Sequence, residues 1–273
     1  MENKTKILII LDGSEENERS IEFMLRSNFF IINEISLFFI LHPVNPVNQI
    51  REKQLLYHDF VHDHGRKLAN MYVDKIESLI LSKRPEVNIS RSIVNSKTNI
   101  LERISMQDIS FSLISDSKKN KLNYFFTSKN FNYFLRNIRP IIFIPENFNF
   151  NDKLNNTLVS KYSNKLFTTK IINSFINDES KFLNFNKLSF LFSKENEKIE
   201  IEKFIEKIPN NKYEFQLIKT NEKITESLEK INNNENLIFN YAPKIRSYFL
   251  NNFSKNSNFS LMNSKFPIIF TNY

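Results

Sequence analysis

An Asp-Gly-Ser turn, Asp12 to Ser14, directly follows the apolar run Ile7–Leu11. A run without polar alternation is typical of a strand buried on both faces, as in a parallel sheet covered by helices. Asp12 and Ser14 can accept hydrogen bonds from the first N–H groups of the amphipathic segment Glu15–Phe30, and Gly13 tolerates turn geometry. Open α/β sheets bind ligands where a strand's carboxyl end meets a helix N-terminus, so this turn is the first candidate site.

Histidines form the second group of residues with possible chemistry. His58 and His62 are four residues apart, so on a helix they share a face and could ligate a metal, with His64 close by. The helical zinc-protease pattern has Glu after its first His, whereas Asp59 stands here. We interpret the cluster as a solvated helix start or loop and predict no metal site. His42 is interpreted as a strand-end side chain and not as a base.

Composition excludes several classes of site. The 273 residues contain no cysteine, so there is no disulfide, no thiolate metal site and no cysteine nucleophile. The net charge of +8 permits binding to nucleic acid or anionic membrane, but Lys and Arg are spread over both halves without a dense basic stripe. No apolar run is long enough to span a membrane, and the N-terminus lacks a signal-peptide core. We expect a cytoplasmic protein, with no membrane contact and no nucleic-acid partner.

Strands and helices alternate in the first half, which predicts a doubly wound parallel sheet with right-handed crossovers. The predicted strands are Ile7–Leu11, Ile35–Leu41, Val87–Val94, Ser110–Ile114 and Ile141–Ile144. The predicted helices are Glu15–Phe30, Gln49–Ser82, Asn99–Met106 and Phe126–Asn137.

The second half repeats this plan, which indicates an internal repeat of two α/β domains, residues 1–147 and 154–273, joined by the polar segment Glu146–Leu154. Its predicted strands are Asn156–Ser160, Leu188–Phe192, Tyr213–Ile218, Asn236–Asn240 and Pro267–Phe270. Its predicted helices are Leu166–Asn177, Glu195–Lys207, Thr225–Ile231 and Arg246–Met262.

Several of these segments resemble the universal stress protein family in its tandem two-domain form. In the first half, the similar segments are the opening strand with Asp12-Gly13-Ser14, the strand end Ile40-Leu41-His42, Thr127-Ser128 with helix Lys129–Asn137, and the closing Arg139-Pro140 with Ile141–Ile144. In the second half, Lys265–Phe270 is similar to the end of the first domain. The resemblance implies two doubly wound parallel five-stranded sheets, Rossmann-like and similar to the adenine nucleotide alpha hydrolases. It also implies a pseudo-dimer of the two domains that meets at the fifth strands.

Nucleotide-binding members of that family carry Gly-x2-Gly-x9-Gly-Ser/Thr after the fourth strand, where glycines let backbone N–H groups approach phosphate. In this chain Ser115, Lys118 and Thr127 replace the three glycines, and Ser128 alone keeps its expected type. The resemblance thus implies an eroded nucleotide site, whose cofactor-binding candidates are Asp12, Gly13, Ser115, Lys118, Thr127 and Ser128. The lysines at 118, 119 and 121 could attract phosphate as point charges, whereas the corresponding stretch of the second half, residues 240–254, has no glycine.

The resemblance implies a non-catalytic stress-response protein, with no catalytic residue, that acts through a protein partner or weakly bound ATP or AMP. Two alternatives stay open. One is an ATP-binding switch or slow ATPase that uses the first domain, and the other is a basic nucleic-acid binder. Pairing of the domains within the chain, and further dimerisation of the chain, are also expected.

Overall fold

The structure is a computed structural model. It describes residues 5–41, 52–94, 109–115, 140–145, 148, 151, 154–162, 183–208, 213–220, 224–232, 235–241 and 265–270. Side chains 52–62, 224, 225, 232, 240, 241 and 270 are outside this description. Four expected helices, at 99–106, 126–137, 166–177 and 246–262, also lie outside the described residues.

The described chain contains ten strands and four helices. The strands are β1 Lys6–Leu11, β2 Glu34–Ile40, β3 Asn88–Val94, β4 Phe111–Ser115, β5 Ile141–Ile144, β6 Asn156–Lys161, β7 Lys187–Phe192, β8 Glu214–Lys219, β9 Asn236–Tyr241 and β10 Ile268–Phe270. The helices are α1 Glu15–Arg26, α2 Glu52–Lys83, α3 Glu195–Ile205 and α4 Ile224–Asn232.

The ten strands form one continuous sheet with the order β3-β2-β1-β4-β5-β10-β9-β6-β7-β8. Each half therefore has the order 3-2-1-4-5, and neighbouring strands within a half are parallel. The predicted fold class, two doubly wound five-stranded sheets arranged as a pseudo-dimer, is confirmed. The two sheets join edge to edge, because β5 and β10 pair antiparallel.

The sheet is buried on both faces, as its unbroken apolar runs predict. Ile7, Ile9 and Leu11 of β1 belong to the core cluster that also holds the buried residues of α1, α2 and α3. Leu8 and Ile10, which alternate with them, face the second cluster, where α4 packs. Helices thus cover opposite faces of one sheet, as a doubly wound arrangement requires.

The contact between the halves is symmetric at the level of single residues. Both fifth strands follow the same tetrapeptide pattern, Pro-Ile-Ile-Phe at 140–143 and at 267–270. Ile142 lies opposite Ile269, and each flanking Ile lies opposite the other strand's Phe. A pseudo-two-fold axis therefore passes between Ile142 and Ile269. A second contact near this axis is an antiparallel bridge between Phe30 and Leu183, each four residues before the second strand of its half.

Helix α1 is shorter than the sequence predicts. The pattern indicates a helix to Phe30, but α1 ends at Arg26, and its C-cap residue Ser27 has an extended backbone. Phe29 and Phe30 are nevertheless buried, and the Phe29 carbonyl accepts a hydrogen bond from the N–H of Asn184 in the other half (2.6 Å). Phe29 and Phe30 thus lie at the contact between the halves and are not part of the helix.

Helix α2 confirms the long helix predicted at Gln49–Ser82 and corrects the interpretation of the histidine cluster. The histidine cluster is expected at a helix start or in a loop, but all three residues lie inside α2, which begins at Glu52 and continues through Gly65 to Lys83. A single interior glycine costs a helix only about 1 kcal/mol. Packing of Ala69, Val73 and Ile80 in the core provides much more stabilisation.

Candidate functional site

The candidate site lies where β1 and β4 are neighbours at the centre of the first half. The chain runs outward from β1 through β2 to β3 and, on the other side, from β4 to β5. This reversal of strand order is a topological switch point, and ligands of open α/β sheets bind outside the carboxyl ends of the strands there. Asp12 follows the carboxyl end of β1, and Ser115 ends β4.

The turn after β1 is held by its own aspartate. Asp12 Oδ1 accepts a hydrogen bond from the Ser14 N–H (3.0 Å). Gly13 has φ +84°, a left-handed conformation that side chains disfavour, and a Cβ at this position would lie 3.5 Å from the ring of Phe39. The expected side-chain capping of α1 is wrong. Ser14 is the N-cap residue, but its hydroxyl accepts no hydrogen bond from the helix. The Asp12 carboxylate bonds the Ser14 N–H within the turn and not an N–H of the helix.

Asn17, a residue that the sequence analysis missed, connects the elements of the site. Its side chain is fully buried, its Oδ1 accepts from the Asp12 N–H (2.8 Å), and its Nδ2 donates to Ser115 Oγ (3.2 Å). The structure thus brings Asp12 and Ser115 to one place through Asn17. The sequence signal that could have identified Asn17 is its helical spacing from Ile21 and Met24, which places a polar residue on the buried face of α1.

Tyr72 of α2 closes the other side of the turn. Its O–H donates to the Ser14 carbonyl (2.9 Å), and its ring meets Phe39 edge to face at 5.8 Å. Burial raises the pKa of Tyr72 well above its usual range, and the carboxylates of Glu18, Asp12 and Glu16 raise it further. The phenol therefore stays neutral and acts as a donor that fixes the turn.

Two buried side-chain oxygens of the site, Asp12 Oδ2 and Ser14 Oγ, form no hydrogen bond within the described part of the chain. Of these, the ionised Asp12 oxygen can only accept a bond. A buried carboxylate oxygen without a donor is costly, so this atom is available to a donor from a ligand.

Most of the remaining candidates lie outside the described side chains. Lys118, Thr127, Ser128 and His42 lie outside the described residues. His58 and His62 lie on α2, but their side chains are not described, and His64 is exposed. Among the residues whose side chains are described, no group of three His, Asp or Glu could hold a metal ion.

The equivalent edge of the second half is built differently. Strand register places Tyr162 where Leu11 stands in the first half. Tyr162 donates a hydrogen bond to Glu200 of α3, and partial burial together with this bond raises the pKa of Tyr162 to about 12. Among the described residues, the first strand of the second half thus ends in a strand-to-helix contact, and the positions that correspond to the turn, 163–165, lie outside the described residues.

Several basic side chains on the described surface are paired with acids. Ion pairs join Lys75 to Glu18, Arg91 to Asp74 and Glu77, Lys187 to Glu235 and Glu214, Lys219 to Glu195, and Lys265 to Glu229. A nucleic-acid interface needs a continuous field of cations, which these acids interrupt. Of the described helices, none is both long and apolar enough to cross a membrane.

Comparisons with known proteins identify the fold. No protein-family model matches the sequence, and no curated protein matches it. The crystal structure of a universal stress protein from Archaeoglobus fulgidus DSM 4304 is similar over 98% of this chain and 96% of its own, with 12% identity and a TM-score of 0.64. The cytoplasmic domain of a prokaryotic cation chloride cotransporter is similar over 98% of this chain and 95% of its own, with 10% identity and a TM-score of 0.50. The resemblance to universal stress proteins is thus confirmed at the level of the fold, and this chain has the fold of a universal stress protein over nearly its whole length.

Proposed function

We propose that this chain is a universal-stress-protein-like protein of the stress response that works without catalysis, through contacts with a protein partner, and has an eroded nucleotide site. The observation that carries the proposal is the bond between Asn17 and Ser115 at the switch point of the first half. This bond engages the hydroxyl of Ser115, the residue that replaces the first glycine of the family's phosphate loop. The fold shared with a universal stress protein over 98% of the chain supports the stress role.

The geometry around Ser115 supports erosion of the pocket. Ser115 is buried, and its Oγ accepts from Asn17 Nδ2, so this oxygen is engaged within the protein. A glycine at this position would let the backbone approach a phosphate closely, whereas a serine adds a Cβ and narrows the loop. The other replacements, Lys118 and Thr127, further reduce the number of positions that tolerate a positive φ.

An equilibrium titration with labelled ATP and Mg²⁺ tests this proposal. We expect no saturable binding up to millimolar ATP, because Ser115, Lys118 and Thr127 replace the glycines that let backbone N–H groups approach phosphate. Saturable binding in the micromolar range would overturn the proposal. Asp12→Asn is the matched control, since it retains the Oδ1 acceptor of the turn while removing the charge.

One observation favours the alternative of an ATP-binding switch or slow ATPase. Asp12 Oδ2 has no donor among the described residues, although it lies at the switch point where this fold class binds ligands. If the first half binds ATP, this oxygen is the natural acceptor for a ribose hydroxyl or a base N–H. A time course of ADP release separates the two proposals: the alternative requires release by the wild type and its loss in Asp12→Ala.

The proposal places the protein in the cytoplasm and makes its partner a protein and not a nucleic acid. Interrupted basic surface on the described residues supports the second point. A filter-binding series at decreasing salt tests it, because phosphate contacts strengthen steeply as salt falls. No retention of nucleic acid even at low ionic strength is the expected result.

A further inference from the structure

The turn after β1 contains two oxygens that the protein itself does not satisfy. Asp12 Oδ2 and Ser14 Oγ lie on either side of Gly13, are buried, and form no hydrogen bond within the described part of the chain. Ser14 as a whole is only 9% exposed. Buried oxygens without a partner cost free energy. A ligand that suits this turn therefore brings hydrogen-bond donors to it.

The charges at this turn are negative. Helix α1 begins with three acids, Glu15, Glu16 and Glu18. Lys75 binds Glu18, and Arg19 lies 4.0 Å from Glu16. Among the described residues, Asp12 and Glu15 enter no ion pair. These acids oppose the attraction that a helix N-terminus otherwise has for anions, so the start of α1 favours a cation.

The phenol of Tyr72 shows that the negative charges act at the turn itself. Its O–H donates to the Ser14 carbonyl. Burial raises the pKa of Tyr72 most, and the carboxylates of Glu18, Asp12 and Glu16 raise it further. A phenolate is disfavoured there for the same reason that a cation is favoured.

An exposed apolar side chain lies beside the turn. Leu68 is 53% exposed and precedes Tyr72 by one turn of α2, so the two lie on one face of the helix. Position 65, almost one turn earlier, is level with Leu41 at the end of β2. Leu68 therefore stands at the carboxyl end of the sheet and offers contact to a methylene chain.

The turn fits an ammonium better than a guanidinium. Asp12 Oδ1 already accepts from the Ser14 N–H, which leaves Oδ2 alone for a ligand. A guanidinium pairs best with both oxygens of a carboxylate, whereas an ammonium is a compact charge with three donors. One ammonium can thus donate to Asp12 Oδ2 and Ser14 Oγ together.

We propose that this turn binds an aliphatic diamine or polyamine, with one ammonium on Asp12 Oδ2 and Ser14 Oγ and the methylene chain along Leu68. A second ammonium is favoured because Glu15 is unpaired among the described residues. The inference rests on the proposed loss of phosphate binding, since it assigns a ligand of opposite charge to the same end of the sheet.

Calorimetric titration of the whole chain with putrescine, at low salt and without nucleotide, tests the proposal. Saturable binding at one site is expected, and it should weaken as salt rises. Asp12→Asn should lower the affinity at least about tenfold, because it removes a charge-assisted bond. Ser14→Ala should lower it about threefold. Butylamine has the same chain with one ammonium and should bind more weakly than putrescine.

The control variant is Glu22→Gln, which removes an exposed acid about two turns further along α1. It should leave the affinity unchanged. Thermal unfolding separates a ligand site from a structural role. Asn at position 12 keeps the Oδ1 acceptor, and the Ser14 hydroxyl has no partner to lose. Both site variants should therefore unfold at or above the wild-type temperature.

Three outcomes would overturn the proposal. They are no saturable binding of putrescine at low salt, the same loss of affinity in Glu22→Gln as in Asp12→Asn, and equal affinities for putrescine and butylamine. A separate titration with ATP distinguishes the two proposals. ATP binding contradicts the proposed function, whereas absence of both ATP and putrescine binding contradicts this inference alone.

Discussion

Among the described residues, the two halves of this molecule differ at the carboxyl ends of their first strands, β1 and β6. In the first half, Asn17 bonds the turn after β1 to the end of β4, and one Asp12 oxygen has no donor among the described residues. In the second half, Tyr162 stands where Leu11 stands in the first and donates a hydrogen bond to Glu200. The first strand is thus followed by a polar turn in one half and, among the described residues, ends in a contact with a helix in the other.

Away from that edge, the halves agree closely. Ser36 of β2 bonds Ser90 of β3 across the sheet, and Ser189 of β7 bonds Gln216 of β8 at the equivalent register. Strand order and register are set by burial on both faces, since a slip of one residue would turn every side chain to the wrong face. Side chains beyond the strand ends lie outside this register, so they can differ between the halves without a change of fold.

The largest expected effect concerns the axis between the halves. Ile142 and Ile269 face each other there and are fully buried. Ile142→Ala and Ile269→Ala are each expected to lower the free energy of unfolding by about 3 kcal/mol, because each leaves a cavity in the same contact. Urea denaturation measures both, and a double variant tests their coupling. Costs that differ by more than about twofold would contradict the symmetry of the contact.

The next effect separates the two edges. Asn17→Ala removes a buried amide and leaves the Asp12 N–H without its partner, so we expect a loss of about 3 kcal/mol. Tyr162→Phe removes one hydrogen bond at a partly exposed site, with an expected loss of about 1 kcal/mol. Thermal or urea denaturation of the two variants gives the comparison directly. Equal losses would mean that the first edge is no more constrained than the second.

The smallest effect is a dependence on alkaline pH. The pKa of Tyr162 is raised from 10.0 to about 12 by partial burial and by Glu200. Because the folded state holds this proton more tightly, the stabilisation is complete below pH 10 and is lost as pH rises through 12. Burial likewise raises the pKa of Tyr72. The urea midpoint should fall over this window, and less steeply in Tyr162→Phe. Parallel curves for variant and wild type would show that Tyr162 contributes nothing to the fall.

Much of the fold could be predicted from the sequence, because apolar runs specify buried strands. Both ends of the strand Ile141–Ile144 agree with the prediction, and β1 begins only one residue before its predicted start. The predicted end of α1 was wrong, because the spacing of apolar residues does not distinguish a residue within a helix from one that packs just beyond its end. Phe29 and Phe30 belong to the second kind. Helix α2 passes through Gly65 because contacts made far away in the sequence outweigh a local penalty.

The site was less predictable than the fold. Asp12, Gly13 and Ser115 could be singled out because a turn follows an apolar run and because the family's glycines are replaced. Asn17 and Tyr72 could not, since each acts through one partner that only the folded chain brings near: Ser115 for Asn17, and the Ser14 carbonyl for Tyr72. Lys118, Thr127 and Ser128 stay predictions, as do the domain bounds 1–147 and 154–273.

A crystal structure of the whole chain soaked with Mg²⁺ and ATP tests the central claim most directly, because it shows fold, pairing and pocket together. The account predicts a continuous ten-stranded sheet with Ile142 opposite Ile269, the Asn17–Ser115 bond intact, and no nucleotide at the carboxyl edge of either half. An ATP molecule at the β1–β4 switch point, with its phosphates on the chain that follows Ser115, would contradict it.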